Sequence, residues 1–192
     1  MGRDARRSLQ VTLPDWVDEI VAWERRYVSD EERIRLTIAL ARENVVRETG
    51  GPFGAAVFES ESGALVSVGV NSVVRLNNSS LHGEMVAFML AQQRVGSFSL
   101  ASPGLPRHEL VTSCEPCAMC LGATLWSGVR RLVFAATREE AARLRFDEGP
   151  VFPQSHDYLR ARGITITGPV LRDEALHVFE LYRSRQGPIY NA

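Results

Sequence analysis

Two short segments hold the residues best suited to chemistry, His82-Gly83-Glu84 and Pro116-Cys117-Ala118-Met119-Cys120. Zinc accepts neutral imidazole and thiolate ligands, and a catalytic zinc keeps three protein ligands with one position open for water. Cys117 and Cys120 stand at i and i+3, so in a helix they share a face and can grip one ion. Pro116 suits the first position of such a helix. The free N–H groups at a helix start favour negative charge, which eases formation of the thiolates. Glu84 is the informative extra. A carboxylate beside a site of one histidine and two cysteines adds nothing needed to bind the metal. It is needed to take a proton from a metal-held water and deliver it elsewhere.

The third cysteine, Cys114, lies three residues before Cys117. As a fourth ligand it would close the zinc into a structural site. Its expected place at the end of a strand, off the helix face of the other two, favours a small buried residue instead. His108, His156 and His177 have no partner at ligand-like spacing and read as ordinary surface or core histidines.

The elements that must position these residues are legible from pattern. A capping box, Ser29-x-x-Glu32, opens a helix reaching about Glu48, with Ile34, Ile38 and Val45 at helical spacing. Phe53–Phe58 and Leu65–Val70 flank a Glu-Ser-Gly turn and predict a β-hairpin. A helix from His82 to Val95 follows, then a strand over 109–112, a helix over 117–126 and a strand over 131–135. Another helix, a turn-rich stretch from Gly149, a strand over 164–167 and a helix over 172–185 complete the chain. A hairpin followed by alternating helices and strands implies an α/β fold with a mixed sheet covered on both faces. Residues 1–28 read as a helical extension ahead of a domain over 29–192; Trp16, Ile20 and Trp23 form one apolar strip suited to packing.

The 192 residues fit one domain. All 22 basic residues are arginine. With no lysine, Schiff-base chemistry, a pyridoxal-phosphate lysine and a P-loop lysine are excluded. A net charge of −1 supplies no general footprint for nucleic acid. No apolar run approaches the ~18 residues of a membrane helix, and residues 1–7 lack the apolar core of a signal peptide. The expected location is the cytoplasm, where three cysteines within seven residues suit a metal better than a disulfide.

The paired segments resemble the zinc-dependent cytidine/deoxycytidylate deaminase superfamily, with its H-x-E and P-C-x-x-C signature. Residues 30–192 look most like its bacterial guanine deaminase and nucleoside deaminase group. Gly51-Pro52-Phe53-Gly54-Ala55, the run from Ser113 to Ala123, and Trp126 carry that likeness. Gly83 departs from it, where the group usually has alanine. The resemblance implies a three-layer αβα sandwich around five strands and one zinc per chain. It gives His82, Cys117 and Cys120 as ligands and Glu84 as the proton shuttle. Asn71, Phe53, Trp126, Asp147 and Tyr190 are the implied substrate contacts, and the chain is expected to form a homodimer whose C-terminal tail crosses to the partner's site. The expected reaction is guanine to xanthine plus ammonia. The same chemistry on cytosine, a nucleoside, an aminotriazine or adenosine in tRNA stays open, as does a non-enzymatic zinc-stabilised binding module.

Overall fold

The computed structural model describes residues 7–190. After a single turn, α1 (Val17–Ile20), the long helix α2 (Asp30–Val46) begins where its cap predicts. Ser29 Oγ accepts from Glu32 N at 3.2 Å, while the Glu32 carboxylate accepts from Val28 N at 2.8 Å, one residue short of a reciprocal box. The hairpin is β1 (Gly54–Glu59) and β2 (Leu65–Val70), followed by the short α3 (Val73–Leu76) and by α4 (Gly83–Val95). Then come β3 (His108–Cys114), α5 (Ala118–Ser127), β4 (Arg131–Ala136), α6 (Arg138–Arg143), α7 (Pro153–Ala161), β5 (Thr165–Thr167) and α8 (Arg172–Ser184). The turn-rich stretch expected from Gly149 therefore ends in a helix at Pro153, a residue suited to a first helical turn. α7 has little apolar periodicity because Leu159 alone among its residues is buried.

The five strands form one sheet in the order β2-β1-β3-β4-β5. β1 pairs antiparallel with β2 and β3, whereas β3-β4 and β4-β5 are parallel, so the sheet is mixed as expected. Alternate residues serve opposite layers. Ala56, Phe58, Val111 and Val133 face a core shared with α2 and α8; Ala55, Val57, Leu110 and Leu132 face one shared with α4, α5 and α7. Burial on both faces explains why these strands read as continuous apolar runs. The extension is no loose appendage. Trp16, Val17, Val21 and Tyr27 are buried in the α2–α8 core, with Ile20 and Trp23 packed against it.

Charges inside the fold are paired. Glu109, fully buried on β3, is held by Arg33 of α2 and by Arg131 Nη1 at 3.1 Å; Arg131 also reaches Asp30. His108 is a structural residue, its Nδ1 2.8 Å from Leu100 O. His177 is exposed on α8, as read from sequence.

The pairing register brings Phe53, Asn71, Cys114 and Thr137 to one end of the sheet, because Gly54 faces Val70, Ala55 faces Thr112 and Cys114 faces Ala136. The N-termini of α4 and α5 converge on that same end. Gly69 permits the approach of α4: a Cβ there would sit 2.0 Å from Gly83 O and 2.5 Å from Ala87 N.

Candidate metal centre and active site

His82 is the N-cap of α4 and Cys117 the N-cap of α5, with Cys120 in the first turn of α5. Two helix starts thus present three donors to one point. His82 Nδ1 lies 3.5 Å from Cys117 Sγ and 3.7 Å from Cys120 Sγ. Ordinary Zn–S and Zn–N bonds at a tetrahedral angle require a separation of about 3.6 Å. The donors therefore fit a zinc ion both in type and in spacing. Burial notwithstanding, Cys117 is pulled down to about 4, chiefly by its hydrogen bond from Cys120 and then by His82, so a thiolate is at hand.

Cys114 stays outside this group of ligand atoms. Its buried thiol lies 3.6 Å from Thr137 O, and burial pushes its pKa up. Three ligands leave the open position that a structural site lacks, which corrects the reading of a closed zinc module.

Glu84, in the first turn of α4, is 6% exposed and lines the pocket over the donors with Phe53, Glu115, Glu148 and Tyr190. Burial first, and the Cys117 thiolate second, push its carboxyl up to about 7. A zinc cation pulls the other way, toward the carboxylate. A carboxylate so placed can take a proton from a donor held above the three ligands and pass it on.

The implied substrate contacts divide. Phe53 lines the pocket, its ring 5.1 Å from Phe146 and 5.7 Å from Phe179. Asn71 is 1% exposed and is not among the residues lining the pocket; its N–H donates to Phe53 O, and its Nδ2 has no hydrogen-bond partner among the described residues. Trp126 is different: it is 79% exposed near the far end of α5 and does not line the pocket of its own chain. Asp147 is also exposed, and its Oδ1 accepts from Gly149 N at 2.8 Å in a local turn. Of the Asp147-Glu148 pair it is Glu148 that lines the pocket, pushed up to about 8 mainly by burial. A sequence can identify the Asp-Glu pair but not which member turns inward.

Glu115, between the strand end and Cys117, was not singled out from sequence. Its carboxylate pairs with Arg138 Nη2 at 3.1 Å; His156 Nε2 of α7 lies 3.0 Å from the same carboxylate without a hydrogen bond between them.

Tyr190 closes the pocket of its own chain. Its ring lies 5.0 Å from Phe146 and 6.4 Å from His82, and its buried hydroxyl has no partner among the described residues. In the single chain described, the tail covers the site; in the homodimer that the resemblance implies, a swapped tail makes the same contacts on the partner's site. Gly51 makes room for it, since a Cβ there would fall 2.4 Å from Tyr190 Oη. With the tail down, Phe53, Glu84, Glu148 and Tyr190 close round the donors.

Comparison with known proteins agrees with this geometry. Residues 28–136 match the family described as the cytidine and deoxycytidylate deaminase zinc-binding region. Guanine deaminase of Bacillus subtilis (strain 168) is 31% identical over 157 residues, covering 82% of this chain and 96% of that protein. A crystal structure of NE0047 in complex with 2,6-diaminopurine superposes with a TM-score of 0.90 at 42% identity, over 97% of this chain and 98% of the other. A structure of guanine deaminase from Nitrosomonas europaea gives 0.88 at 41%, over 92% and 97%. The donor set, the carboxylate above it and these matches together show that the chain belongs to the cytidine and deoxycytidylate deaminase family of zinc-dependent hydrolytic deaminases.

Proposed function

We propose that the protein converts guanine and water to xanthine and ammonia, with one zinc per chain. The observation that carries this reading is the likeness to guanine deaminases along nearly the whole chain, including the parts outside the zinc motifs. The buried polar groups support it. Asn71 Nδ2 and Tyr190 Oη lack partners, and such groups are costly unless a ligand satisfies them. An amide donates and accepts, Glu148 can pair with a ring N–H, and Phe53 offers a face for stacking.

Zinc held by His82, Cys117 and Cys120 supplies a water made acidic enough to attack at neutral pH. Two thiolates offset the charge of the ion, so the work of moving the proton falls largely on Glu84. Glu84 accepts a proton from the attacking water and gives it to a ring nitrogen of guanine while the new C2–O bond forms. The carboxylate then takes the remaining proton from the new C2 hydroxyl and passes it to the amino group, so that C2=O forms, the C2–N bond breaks and ammonia leaves. Tyr190 and the tail exclude bulk water and hold the base for attack.

The protein is further assigned to the cytoplasm, a setting suited to its three free thiols; no helix among the described residues is long and apolar enough to cross a membrane. A homodimer is supported by an exposed apolar face of Met119 and Trp126 on α5 with Phe152 and Tyr158 at α7. In that homodimer the tail crosses to the partner's site and makes there the contacts described above. Deleting residues 187–192 should lower turnover by up to about 10²-fold with zinc retained, the scale of a badly positioned substrate. Co-expressing that truncation with full-length Glu84→Gln should restore activity, because in a mixed dimer the intact tail covers the truncated chain's competent site; purified mixed dimers that stay inactive would place the tail in cis.

The substrate itself is tested by ammonia release from guanine, cytosine, adenine, their nucleosides and aminotriazines. Guanine should be turned over fastest; a clear preference for any other would replace this reading.

A further inference from the structure

The N-terminal extension is linked to Gly51 and Asn71, which flank Phe53 of the pocket, by a continuous chain of hydrogen bonds, half-buried at Thr49 and fully buried at Asn44. Trp16 Nε1 donates to Thr49 Oγ1 at 3.1 Å, and Thr49 Oγ1 donates to Asn44 Oδ1 at 2.7 Å. Asn44 Nδ2 then donates both hydrogens, to Gly51 O and to Asn71 O, each at 2.9 Å. Every donor in this chain is used. The amide of Asn44 has one workable orientation, because its oxygen accepts a hydroxyl while its nitrogen meets two carbonyls. Asn44 is fully buried, so water cannot substitute readily for a partner lost by its amide, whereas Thr49 is half-buried. A second strut meets the other flank of the same loop. Arg75 Nη2 donates to Thr12 O and, at 3.0 Å, to Ser72 Oγ.

The two residues at the end of this relay matter for the site. Asn71 is the proposed purine contact, and Gly51 is the surface on which Tyr190 rests. Packing alone does not account for the arrangement. An apolar strip would anchor the extension equally well without threading polar atoms through the core, where each unpaired one costs stability.

We infer that Trp16, Thr49 and Asn44 are positioning residues through which the extension fixes the backbone of Asn71 and Gly51, and so sets affinity for the base. This rests on the assignment of Asn71 as a purine contact. None of the three touches the reacting atoms. Their effect should therefore fall on binding shared by ground and transition states, which raises KM and leaves kcat largely unchanged.

The test uses the full-length, zinc-loaded protein with guanine as substrate. Thr49→Val keeps the shape and breaks the relay at its centre; Trp16→Phe removes the indole N–H; Thr49→Ser restores the hydroxyl. Thr49→Val should raise KM by about three- to tenfold, the scale of one or two buried hydrogen bonds, with kcat within about twofold. Trp16→Phe should move KM in the same direction, and Thr49→Ser should return it toward the parent value. In an Asn71→Ala background the Thr49→Val effect should disappear, since the group being positioned is gone. If Asn71→Ala raises KM but Thr49→Val does not, the relay is wrong and the purine contact stands. If Asn71→Ala itself leaves KM unchanged, the assignment of Asn71 fails first. A Thr49→Val protein that merely loses zinc and folded fraction, with KM unaltered in the remainder, would also overturn the inference.

Discussion

Glu84→Gln should retain the fold and the zinc yet lose at least the ~10²–10⁴-fold in turnover that a positioned acid–base group contributes. The amide is nearly isosteric and fills the same buried space above the donors. It cannot accept a proton from the attacking water, and it has none to give to the ring or the leaving amino group. The size of the loss follows from how much is asked of one residue: Glu84 serves every proton transfer in the proposed sequence. The other carboxyls of the pocket are no substitute: Glu148 is given to a base contact, and Glu115 is paired with Arg138. Single-turnover measurement on zinc-loaded enzyme checks the point. An active glutamine variant in a preparation free of host deaminase would refute the role given to Glu84.

Replacing Cys117 or Cys120 by alanine should remove most of the zinc, and activity with it. Each change leaves two protein ligands where tight binding needs three or more. The loss of metal affinity should exceed the ~10–100-fold typical of changes outside the ligand shell. Cys114→Ala is the matched control, for its sulfur lies beside Thr137 O, outside the donor group. It should keep both metal and turnover. Metal analysis of the three purified variants decides the matter: full zinc in the first two would sink the site, and loss of zinc in the third would restore the closed structural centre.

What the sequence made legible was local. His82 and Glu84 sit two residues apart, as ligand and shuttle on one helix start, and Cys117 and Cys120 share a single turn, so spacing alone brings each pair together. The hairpin and the parallel strands were readable because both faces are buried and β-branched residues crowd there. The parts that pattern could not reach depend on contacts between distant segments. Glu148 rather than Asp147 enters the pocket because the turn at Gly149 engages the aspartate and leaves its neighbour facing inward. Trp126 looked like a stacking aromatic, but the C-terminal part of α5 carries it away from the pocket that the helix start builds. The relay from Trp16 crosses 33 residues in one hydrogen bond and 27 in another, and has no periodicity to betray it. The start of the tail is fixed by Gly187, packed against Tyr182, and by the hydrogen bond from Tyr182 to Pro188 O.

The central claim is hydrolytic removal of the amino group from C2 of guanine by a zinc site that Glu84 serves. Its most direct test is to incubate the zinc-loaded protein with guanine in heavy-oxygen water and to analyse the product by mass spectrometry alongside ammonia release. The account predicts xanthine carrying the heavy oxygen at C2, with one ammonia for each guanine consumed and none from Glu84→Gln. Fully loaded protein that leaves guanine unchanged, or xanthine formed without the label, would contradict it.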